Sequence, residues 1–409
     1  MELVASALDF PTSIAIDPEG AIYIAESGLP FGGALAGGAI LQLDLDGKLL
    51  PVACGLRAPV NGLFCHGRYL IVSEGGNPGR ITRINLDSHQ RSTILDDLPG
   101  FGNYHTNMAV TGPDGKLYFS QGAMTNSGVV GLDSHDLPWL GEVRHNCDIP
   151  GYTIEVSGYE AETRDPRDGR AVRTSAFAPY GASVAHGMIE GRVPCTASIM
   201  RCDPDGANLE LVAWGLRNAY GLCFLSDGRL LATDQGADIR GSRPISGCPD
   251  FLYEIRPGAW YGWPDFFGGR PLTRASDFVL AKHHNLPPPE TPLFEFEVNS
   301  CAVKFAQIPR GFAHAGDLIV ALFGDEKPMT APEGPRVGRK LIRLSCRGWS
   351  PHPVRTPPVE RPIDIAFDPS GKAAYVLDFG QFEMAPDKGI AAQRATGCVW
   401  KLPADFMEL

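Results

Sequence analysis

One histidine of the sequence lies at the start of an apolar run, in a position where it could transfer a proton. His105 lies in Asn-Tyr-His-Thr-Asn (103–107), directly before an alternating apolar run. A neutral imidazole can take a proton from a bound alcohol or hydrate near neutral pH. Alternatively, the ring is hydrogen-bonded for purely structural reasons. No comparable argument applies to the other nine histidines, and His283-His284, beside a Pro-rich stretch, is interpreted as a surface loop.

Two arginines occupy similar positions before apolar runs. Arg217 and Asn218 lie in Gly-Leu-Arg-Asn-Ala-Tyr-Gly, and Arg361 precedes Pro-Ile-Asp-Ile. A guanidinium facing a cavity could stabilise an oxyanion or hold a carboxylate, and Arg361 could add a second cation for an anionic cofactor. The alternatives are ion pairs: Arg217 with Asp234 or a neighbouring acid, and Arg361 with Asp364 or Asp378.

Acidic residues recur at the ends of apolar runs. Glu26, Glu74, Asp234 and Asp378 each close such a run, as do Gln121 and Asp325. Converging carboxylates repel one another unless they are protonated or bind a cation. Oxygen ligands beside Gly-rich loops favour calcium over zinc. Alternatively, each carboxylate caps a backbone amide of a neighbouring loop.

These residues belong to a repeated unit. A polar residue, an apolar run, an Asp-Pro-x-Gly type of turn, a second apolar run and an acid or amide follow one another six times. The copies run over 12–26, 61–74, 105–121, 218–234, 300–325 (the weakest) and 361–378. The apolar period is near two, which indicates β-hairpins. Most copies are followed by a second hairpin, so the sequence predicts an all-β, six-bladed propeller of four-stranded antiparallel blades.

The hairpin geometry predicts one working face. A hairpin returns to the side on which it starts. The start of the first strand and the end of the second strand of every blade therefore lie on the same face of the ring, around one opening of the central axis, which we call the mouth. The long connections 27–38, 123–197, 235–250 and 379–396 leave the blades at this mouth, whereas tight turns lie opposite. The insertion 123–197 in the third blade is interpreted as a lid or pocket wall, or alternatively as a packing insertion.

The chain is expected to form one domain over 1–409, because a single blade cannot bury its own faces. The opening strand Glu2–Leu8 is expected to pair with the closing strand 397–402 and so remove an exposed edge. The aromatic cluster Trp260–Phe267 could line the pocket, but such clusters more often pack between blades.

Charge and apolar length exclude two classes of partner. The net charge of −11 argues against nucleic acid, and no apolar stretch is long enough for a membrane span. Without an export signal, the sequence as it stands predicts a cytoplasmic protein, or a periplasmic or secreted one if a leader was trimmed. The ten scattered cysteines contain no Cys-x-x-Cys. They are interpreted mainly as reduced thiols, and Cys147 and Cys195 are the best candidates for a bridge if the protein is exported.

Several of these motifs resemble the glucose/sorbosone dehydrogenase family, six-bladed propellers related to soluble quinoprotein glucose dehydrogenases. The resemblance rests on GLRNAYGLCFLSDGRLLATDQG, FLYEIRPGAWYGWPDF, HTNMAVTGPDGKLYFSQG and the closing RPIDIAFDPSGKAAYVLDFG. It implies that His105 is the general base, that Arg217 is catalytic, and that Asn218, Gln235 and Arg361 bind pyrroloquinoline quinone. It also implies calcium on the backbone carbonyls of Gly236 and Ala237, a small-molecule substrate and an external electron acceptor.

The chain departs from the family pattern at other positions. The catalytic aspartate expected after the third blade's second strand corresponds to Ala123. A second clamping arginine corresponds to Ile363. The motifs identify no residue as the clamping lysine, for which Lys327 and Lys340 are the candidates.

Three hypotheses follow from the sequence. The first is an oxidoreductase that abstracts hydride from an alcohol or aldose-type substrate at a calcium-bound quinone. The second is a calcium-dependent lactonase or hydrolase, or a cofactor-free tailoring enzyme, that uses the same mouth. The third is a non-catalytic binding propeller.

Overall fold

A computed structural model describes residues 1–44, 46–184, 186–272, 274, 277–283, 285–325, 336–385 and 389–407. The first eleven strands are β1 (Glu2–Leu8), β2 (Pro11–Ile16), β3 (Ile22–Glu26), β4 (Gly38–Leu43), β5 (Leu49–Leu56), β6 (Val60–His66), β7 (Tyr69–Glu74), β8 (Gly79–Asn85), β9 (Arg91–Leu98), β10 (Thr106–Thr111) and β11 (Leu117–Gln121). The insertion then contains α1 (Asp133–Asp136), α2 (Trp139–Glu142), β12 (Ile154–Val156), β13 (Glu160–Arg164), β14 (Ala171–Ser175) and β15 (Gly187–Ile189).

The second half of the chain supplies the remaining strands. They are β16 (Ser198–Cys202), β17 (Glu210–Trp214), β18 (Ala219–Phe224), β19 (Leu230–Asp234), β20 (Phe251–Glu254), β21 (Phe266–Phe267), β22 (Arg270–Pro271), β23 (Phe294–Glu295), β24 (Ala302–Gln307), β25 (Leu318–Leu322), β26 (Lys340–Ser345), β27 (Ser350–Pro353), β28 (Pro362–Phe367), β29 (Ala373–Asp378), β30 (Phe382–Ala385), β31 (Gly389–Ala392) and β32 (Gly397–Pro403). A single 3₁₀ turn covers Phe31–Gly33.

Six four-stranded antiparallel sheets form the blades. From the axis outward their strand orders are β2-β3-β4-β5, β6-β7-β8-β9, β10-β11-β16-β17, β18-β19-β20-β23, β24-β25-β26-β27 and β28-β29-β32-β1, which we number blades 1 to 6. The inner strands β2, β6, β10, β18, β24 and β28 contact one another in a closed ring. The predicted six-bladed propeller is therefore confirmed.

Local chemistry explains the hairpins between inner and second strands. In the blade 1 turn, the carboxylate of Asp17 accepts the backbone N–H groups of Glu19 and Ala21 at 3.0 and 2.8 Å. Gly20 closes the turn at φ +93°, a left-handed conformation that favours glycine. Asp368 and Gly371 repeat the arrangement in blade 6.

The ring closes as predicted from the sequence. β1 pairs antiparallel with β32, with Glu2 opposite Lys401 and Leu8 opposite Gly397. Blade 6 is thus built from both ends of the chain, and its closing strand β32 has neighbours on both sides. Apolar clusters between adjacent blades form the core; Ile24, Val376 and Val399 are fully buried where blades 1 and 6 meet.

The cysteines agree with the main interpretation from the sequence, whereas the interpretation of one histidine needs correction. The ten cysteines all lie in described parts of the chain and form no disulfide bond, so Cys147 and Cys195 are not bridged. His283 is not on a simple surface loop: its Nε2 lies 3.2 Å from the buried carboxylate of Asp265, and its ring stacks on Trp260. His284 lies outside the described residues. Over the described residues, no helix has the length and apolar character needed to cross a bilayer.

Candidate active site

A cavity of about 280 Å³ lies on the axis at the mouth. All six blades contribute to its wall, through Thr12, Asn61, His105, Arg217, Cys301 and Phe379 among others. The repeat therefore brings the starts of the inner strands together as predicted. Two predicted positions are absent from the wall: Ser300, whose neighbours Asn299 and Cys301 take its place, and Arg361.

The acids at the ends of the second strands do not line this cavity. In four blades, the carboxylate accepts a backbone N–H from the residue seventeen positions earlier: Glu26 from Asp9, Glu74 from Arg57, Asp234 from Arg217 and Asp378 from Arg361. We call this contact the acid latch. It corresponds to the capping alternative, because each carboxylate fixes the loop that leads into an inner strand.

The latch residues have further partners that leave little room for a metal ion. Glu74 also accepts from Arg80 and Thr82, and Asp378 also accepts the N–H of Glu360 at 2.8 Å. In the described part of the chain, no three His, Cys, Asp or Glu side chains form a group that could hold a metal ion. In blade 3, Gln121 replaces the acid, and its amide donates to the carbonyl of Pro99 at 2.7 Å.

The latch of blade 4 makes a testable prediction about pH. Burial raises the pKa of Asp234 to about 7, against the opposing N–H donors of Asn218 and Arg217. Between the unfolded value near 3.9 and pH 7, the folded state therefore binds more protons, and the free energy of unfolding falls as pH rises. We expect Asp234→Asn to flatten this fall between pH 4.5 and 7 in denaturant titrations. An unchanged slope would contradict a raised Asp234 pKa; Asp227→Asn, at an exposed turn, is the control.

His105 is held in a form that can accept a proton. Its Nδ1 lies 2.8 Å from the carbonyl oxygen of Gly100, which places the proton on Nδ1 and leaves the lone pair on Nε2. Burial lowers the pKa of His105, although the carbonyls of Gly100 and Gly75 oppose the shift. The ring lines the cavity. A neutral imidazole in this position can act as a general base at neutral pH.

Arg217 lines the cavity, but its guanidinium is already hydrogen-bonded. Its Nε donates to the carbonyl of Asn126 at 3.1 Å, and its Nη2 donates to the Asn126 and Asp238 side chains at 2.7 and 2.6 Å. Its Nη1 donates to the carbonyls of Gln235 and Gly236. The predicted ion pair with a neighbouring acid is thus formed with Asp238, while Asp234 receives only the backbone N–H.

A second arginine extends this charge network. Arg240 donates to Asp238 at 3.1 Å, to Asp133 at 2.7 Å and to the hydroxyl of Tyr104 at 2.5 Å. The Tyr104 ring also covers Arg217, whose Cζ lies 4.5 Å from the ring centroid. Although burial acts to raise it, the pKa of Asp238 is lowered by the charges of Arg217 and Arg240. Two cations and two carboxylates balance here.

Five residues of this network were not predicted from the sequence: Tyr104, Asn126, Asp133, Asp238 and Arg240. Tyr104 directly precedes His105 in the sequence, so its position next to a predicted site residue could have identified it. Asn126 and Asp238 lie in long loops whose paths no repeat predicts. They meet around Arg217, and the Asn126 side chain also donates to the carbonyl of Asp238 at 2.9 Å and accepts its backbone N–H at 3.0 Å. From the insertion 123–197, Leu137 reaches the cavity wall. The cluster Trp260–Phe267 lies outside that wall, with Trp260 and Trp263 packed in the core, as the core interpretation predicts.

A directed chain of amides crosses four blades along the cavity wall. Asn61 donates to Asn107 at 3.3 Å, and Asn107 donates to Asn218 at 2.8 Å. Asn218 donates in turn to Gln235 at 2.7 Å, and Gln235 donates to the sulfur of Cys301 at 3.1 Å. All five residues line the cavity. Neutral amides of this kind suit the hydroxyl and carbonyl groups of an uncharged ligand.

The opposite wall is apolar. Phe323, Phe379, Phe382 and Met384 from blades 5 and 6 line the cavity there, together with Leu29 from blade 1. The three phenylalanine rings pack against one another, with centroids 5.3 to 6.4 Å apart. The cavity is therefore two-sided, with amides, His105 and the charge network on one side and aromatic carbon on the other.

A buried lysine adjoins the cavity and bridges the axis. Lys304 of blade 5 donates to the carbonyls of Thr12 in blade 1 and Asn61 in blade 2, both at 2.7 Å. Its ammonium also lies 3.5 Å from the carboxylate of Asp364 in blade 6. Burial lowers the pKa of Lys304 to about 8. One side chain thus ties together inner strands from four blades.

The residues present do not fit a calcium-bound quinone. The carbonyl of Gly236 accepts from Arg217, and Ala237 does not reach the cavity wall. Arg361 is fully buried, and its guanidinium donates to the carbonyls of Phe382, Phe323, Gly324 and Asp325 and to Glu383. Ile363 packs in the core, and neither Ala123 nor Lys340 lines the cavity. Lys327 lies outside the described residues.

The remaining cationic groups of the cavity are balanced by acids. Arg217 and Arg240 are paired with Asp238 and Asp133, so they offer little uncompensated charge to a polyanionic cofactor. Asn218 and Gln235 do line the cavity, but their amides are neutral and add no charge for an anionic cofactor. Some of the positions implied by the resemblance therefore lie together at the mouth, whereas Ala237 and Arg361 do not. The described residues of the cavity wall lack the free cationic side chains and the pair of free carbonyl oxygens that would hold the quinone and calcium.

Several solved sugar dehydrogenases share this architecture. No protein-family profile and no curated protein matches the chain. The PQQ-bound aldose sugar dehydrogenase of Streptomyces coelicolor is 16% identical with a TM-score of 0.59, covering 98% of this chain and 96% of that chain. A putative oxidoreductase (glucose dehydrogenase) of Thermus thermophilus is 18% identical with a TM-score of 0.56, covering 98% of this chain and 99% of that chain.

A fungal structure gives the same result. The holo PQQ domain of pyranose dehydrogenase from Coprinopsis cinerea is 14% identical with a TM-score of 0.56, covering 97% of this chain and 94% of that chain. At these identities the likeness concerns the fold. The family resemblance read from the motifs is therefore confirmed as a shared six-bladed propeller of the kind found in soluble PQQ-dependent sugar dehydrogenases.

Proposed function

We propose that the protein is an oxidoreductase of the sugar-dehydrogenase kind that takes a small hydroxyl-bearing molecule into the mouth cavity. The observation that carries the proposal is His105: a half-buried, neutral imidazole in the cavity wall whose Nδ1 proton is fixed by Gly100. The likeness to sugar dehydrogenases over nearly the whole chain supports the same class of reaction.

In the proposed reaction, each part of the cavity wall has a separate role. Nε2 of His105 accepts the hydroxyl proton as hydride leaves the adjacent carbon. The amide chain from Asn61 to Gln235 orients the hydroxyl groups, and the phenylalanine wall holds the rest of the substrate. The hydride must pass to an external two-electron acceptor of the soluble quinone or redox-dye class, which is reduced while the alcohol carbon becomes a carbonyl. No step is assigned to a calcium-bound quinone, because its donor set does not fit.

The two-sided wall narrows the substrate class. An uncharged molecule with hydroxyl groups on one side and an aryl or alkyl part on the other matches both the amides and Phe323, Phe379 and Phe382. A free sugar would leave the aromatic wall facing hydroxyl groups. We therefore expect aryl or alkyl glycosides and apolar alcohols to bind more tightly than glucose.

A second candidate is a cofactor-free tailoring enzyme that acts on a lactone or related carbonyl compound. It is favoured by the position of Arg217, whose guanidinium takes the carbonyl oxygens that calcium would need. In that reaction His105 would activate water or remove a proton from carbon, and no electron acceptor would be required.

One set of assays separates the candidates. The purified protein is mixed with phenyl glucoside, benzyl alcohol or glucose and a redox dye, with and without added quinone and calcium, and in parallel with lactones and no dye. Dye reduction that disappears in His105→Ala supports the oxidoreductase. Lactone cleavage without dye, also lost in His105→Ala, selects the second candidate. Activity of either kind that survives in His105→Ala overturns the assignment of His105.

Met384 offers a direct test of the apolar wall. The change Met384→Gln keeps the side-chain length but places an amide against the substrate's apolar part. We expect KM for phenyl glucoside to rise about tenfold, on the order of 1.4 kcal/mol, while KM for glucose changes little. Met188→Gln is the matched control, since Met188 is 60% exposed and outside the cavity wall. Equal changes for both substrates would contradict the two-sided interpretation.

A further inference from the structure

Arg217 sits in a cage of five oxygen atoms. Two are backbone carbonyls that follow β19, those of Gln235 and Gly236. Two belong to Asn126, its carbonyl and its side-chain oxygen, and the fifth is the carboxylate of Asp238. These five acceptors match the five N–H donors of a guanidinium, so all its donors are used.

The cage has the composition of a calcium site. Carbonyl, amide and carboxylate oxygens are the ligands that calcium takes in proteins, with the carboxylate supplying negative charge. The two carbonyls lie at and beside the positions where the family resemblance places calcium. In this chain the same oxygens surround an organic cation.

The guanidinium at the centre of the cage is shielded from solvent. The Arg217 side chain is 2% exposed, and the Tyr104 ring stacks over it. A guanidinium does not lose its proton in proteins, so its positive charge is permanent at all working pH values. A metal ion entering this cage would have to displace a cation with five hydrogen bonds and an ion pair at 2.6 Å.

We propose that Arg217 is the resident cation of this site, standing in the place of a divalent metal, so that the cavity is organised without calcium. It follows that removing the Arg217 side chain uncovers a cation site formed by Asn126, Gln235, Gly236 and Asp238. The inference goes beyond the proposed function, because it concerns what holds the mouth loops together whatever reaction takes place there.

The test is calcium binding to EDTA-treated full-length protein, followed by calorimetric titration and thermal unfolding. We expect the wild-type protein to show no calcium-dependent change in Tm. Arg217→Ala is expected to bind calcium with a Kd on the order of 10⁻⁴ to 10⁻³ M and to gain Tm with calcium. Arg217→Lys, which keeps the charge, is expected to behave like the wild-type protein.

Two controls separate the cage from a general loss of charge. Arg217→Ala/Asp238→Asn lacks the carboxylate and is expected to lose the gained calcium response. Arg240→Ala removes an equal charge beside Asp238 but frees no backbone carbonyl, since Arg240 donates to Asp238, Asp133 and Tyr104 only by side-chain contacts. It is expected to bind calcium at least tenfold more weakly than Arg217→Ala.

Calcium stabilisation of the wild-type protein that is lost in Asp238→Asn would overturn the proposal. So would an Arg217→Ala variant that folds and does not respond to calcium. If that variant folds poorly, calcium added during refolding is expected to raise the folded yield above that with magnesium, and equal yields would also overturn the proposal. These readouts do not depend on turnover, so they stand or fall separately from the role proposed for His105.

Discussion

Replacing His105 by alanine is expected to lower kcat/KM by about 10²- to 10⁴-fold, the usual contribution of a positioned general base. Among the described residues that line the cavity, His105 is the only histidine. Its lowered pKa keeps the ring neutral at pH 7, with a nitrogen lone pair that can accept a proton. The measurement is steady-state turnover on the best substrate from the assays above. His66→Ala, at an exposed histidine of blade 2, is the control.

The pH profile gives an independent check on the same residue. Because burial lowers the pKa of His105, the base-competent neutral form should prevail above a midpoint lower than the ordinary value near 6.5. We expect kcat/KM to rise with pH through that midpoint and then to level off. A rise centred well above 6.5, or wild-type turnover in the alanine variant, would assign the base to another group.

Replacing Lys304 by methionine is expected to lower the free energy of unfolding by roughly 3–5 kcal/mol, the cost of removing one partner of a buried ion pair. The substitution leaves the carboxylate of Asp364 in the core and takes a donor from the carbonyls of Thr12 and Asn61. The loss should be visible in denaturant titrations followed by circular dichroism.

The double variant Lys304→Met/Asp364→Asn separates charge from packing. If the uncompensated carboxylate causes most of the loss, the double variant should recover part of the stability lost in the single one. Lys48→Met, at an exposed turn, is the control for introducing methionine. A Lys304→Met protein within about 1 kcal/mol of wild type would show that the axial bridge contributes little.

The sequence was sufficient for the fold because every blade repeats the same local chemistry. Aspartate caps the hairpin turns, and a left-handed glycine ends them at Gly20 and Gly371. The closing pair of β1 and β32 could be predicted as well, because a ring of blades otherwise leaves an edge strand.

The site was only partly predictable, and two arginines show why. Arg217 and Arg361 each lie seventeen residues before a latch acid. The strand register nevertheless differs by one residue, since Ala219 pairs with Asp234 and Pro362 pairs with Asp378. Arg361 therefore corresponds to Asn218 and not to Arg217. Arg217 lines the cavity, whereas Arg361 points into carbonyls between blades 5 and 6. Because successive residues of an extended chain point to opposite sides, an offset of one residue sends the two side chains in different directions. The partners then come from loops that carry no repeat.

The closure of blade 6 by both chain ends has a practical consequence. Since Glu2 lies opposite Lys401 in one sheet, a short linker can join the ends without crossing the mouth. New ends can then be opened at turns such as 17–20 or 368–371, on the face away from the cavity. Circular permutants of this kind should keep ligand binding and would accept a fused reporter domain, turning the propeller into a scaffold for a biosensor.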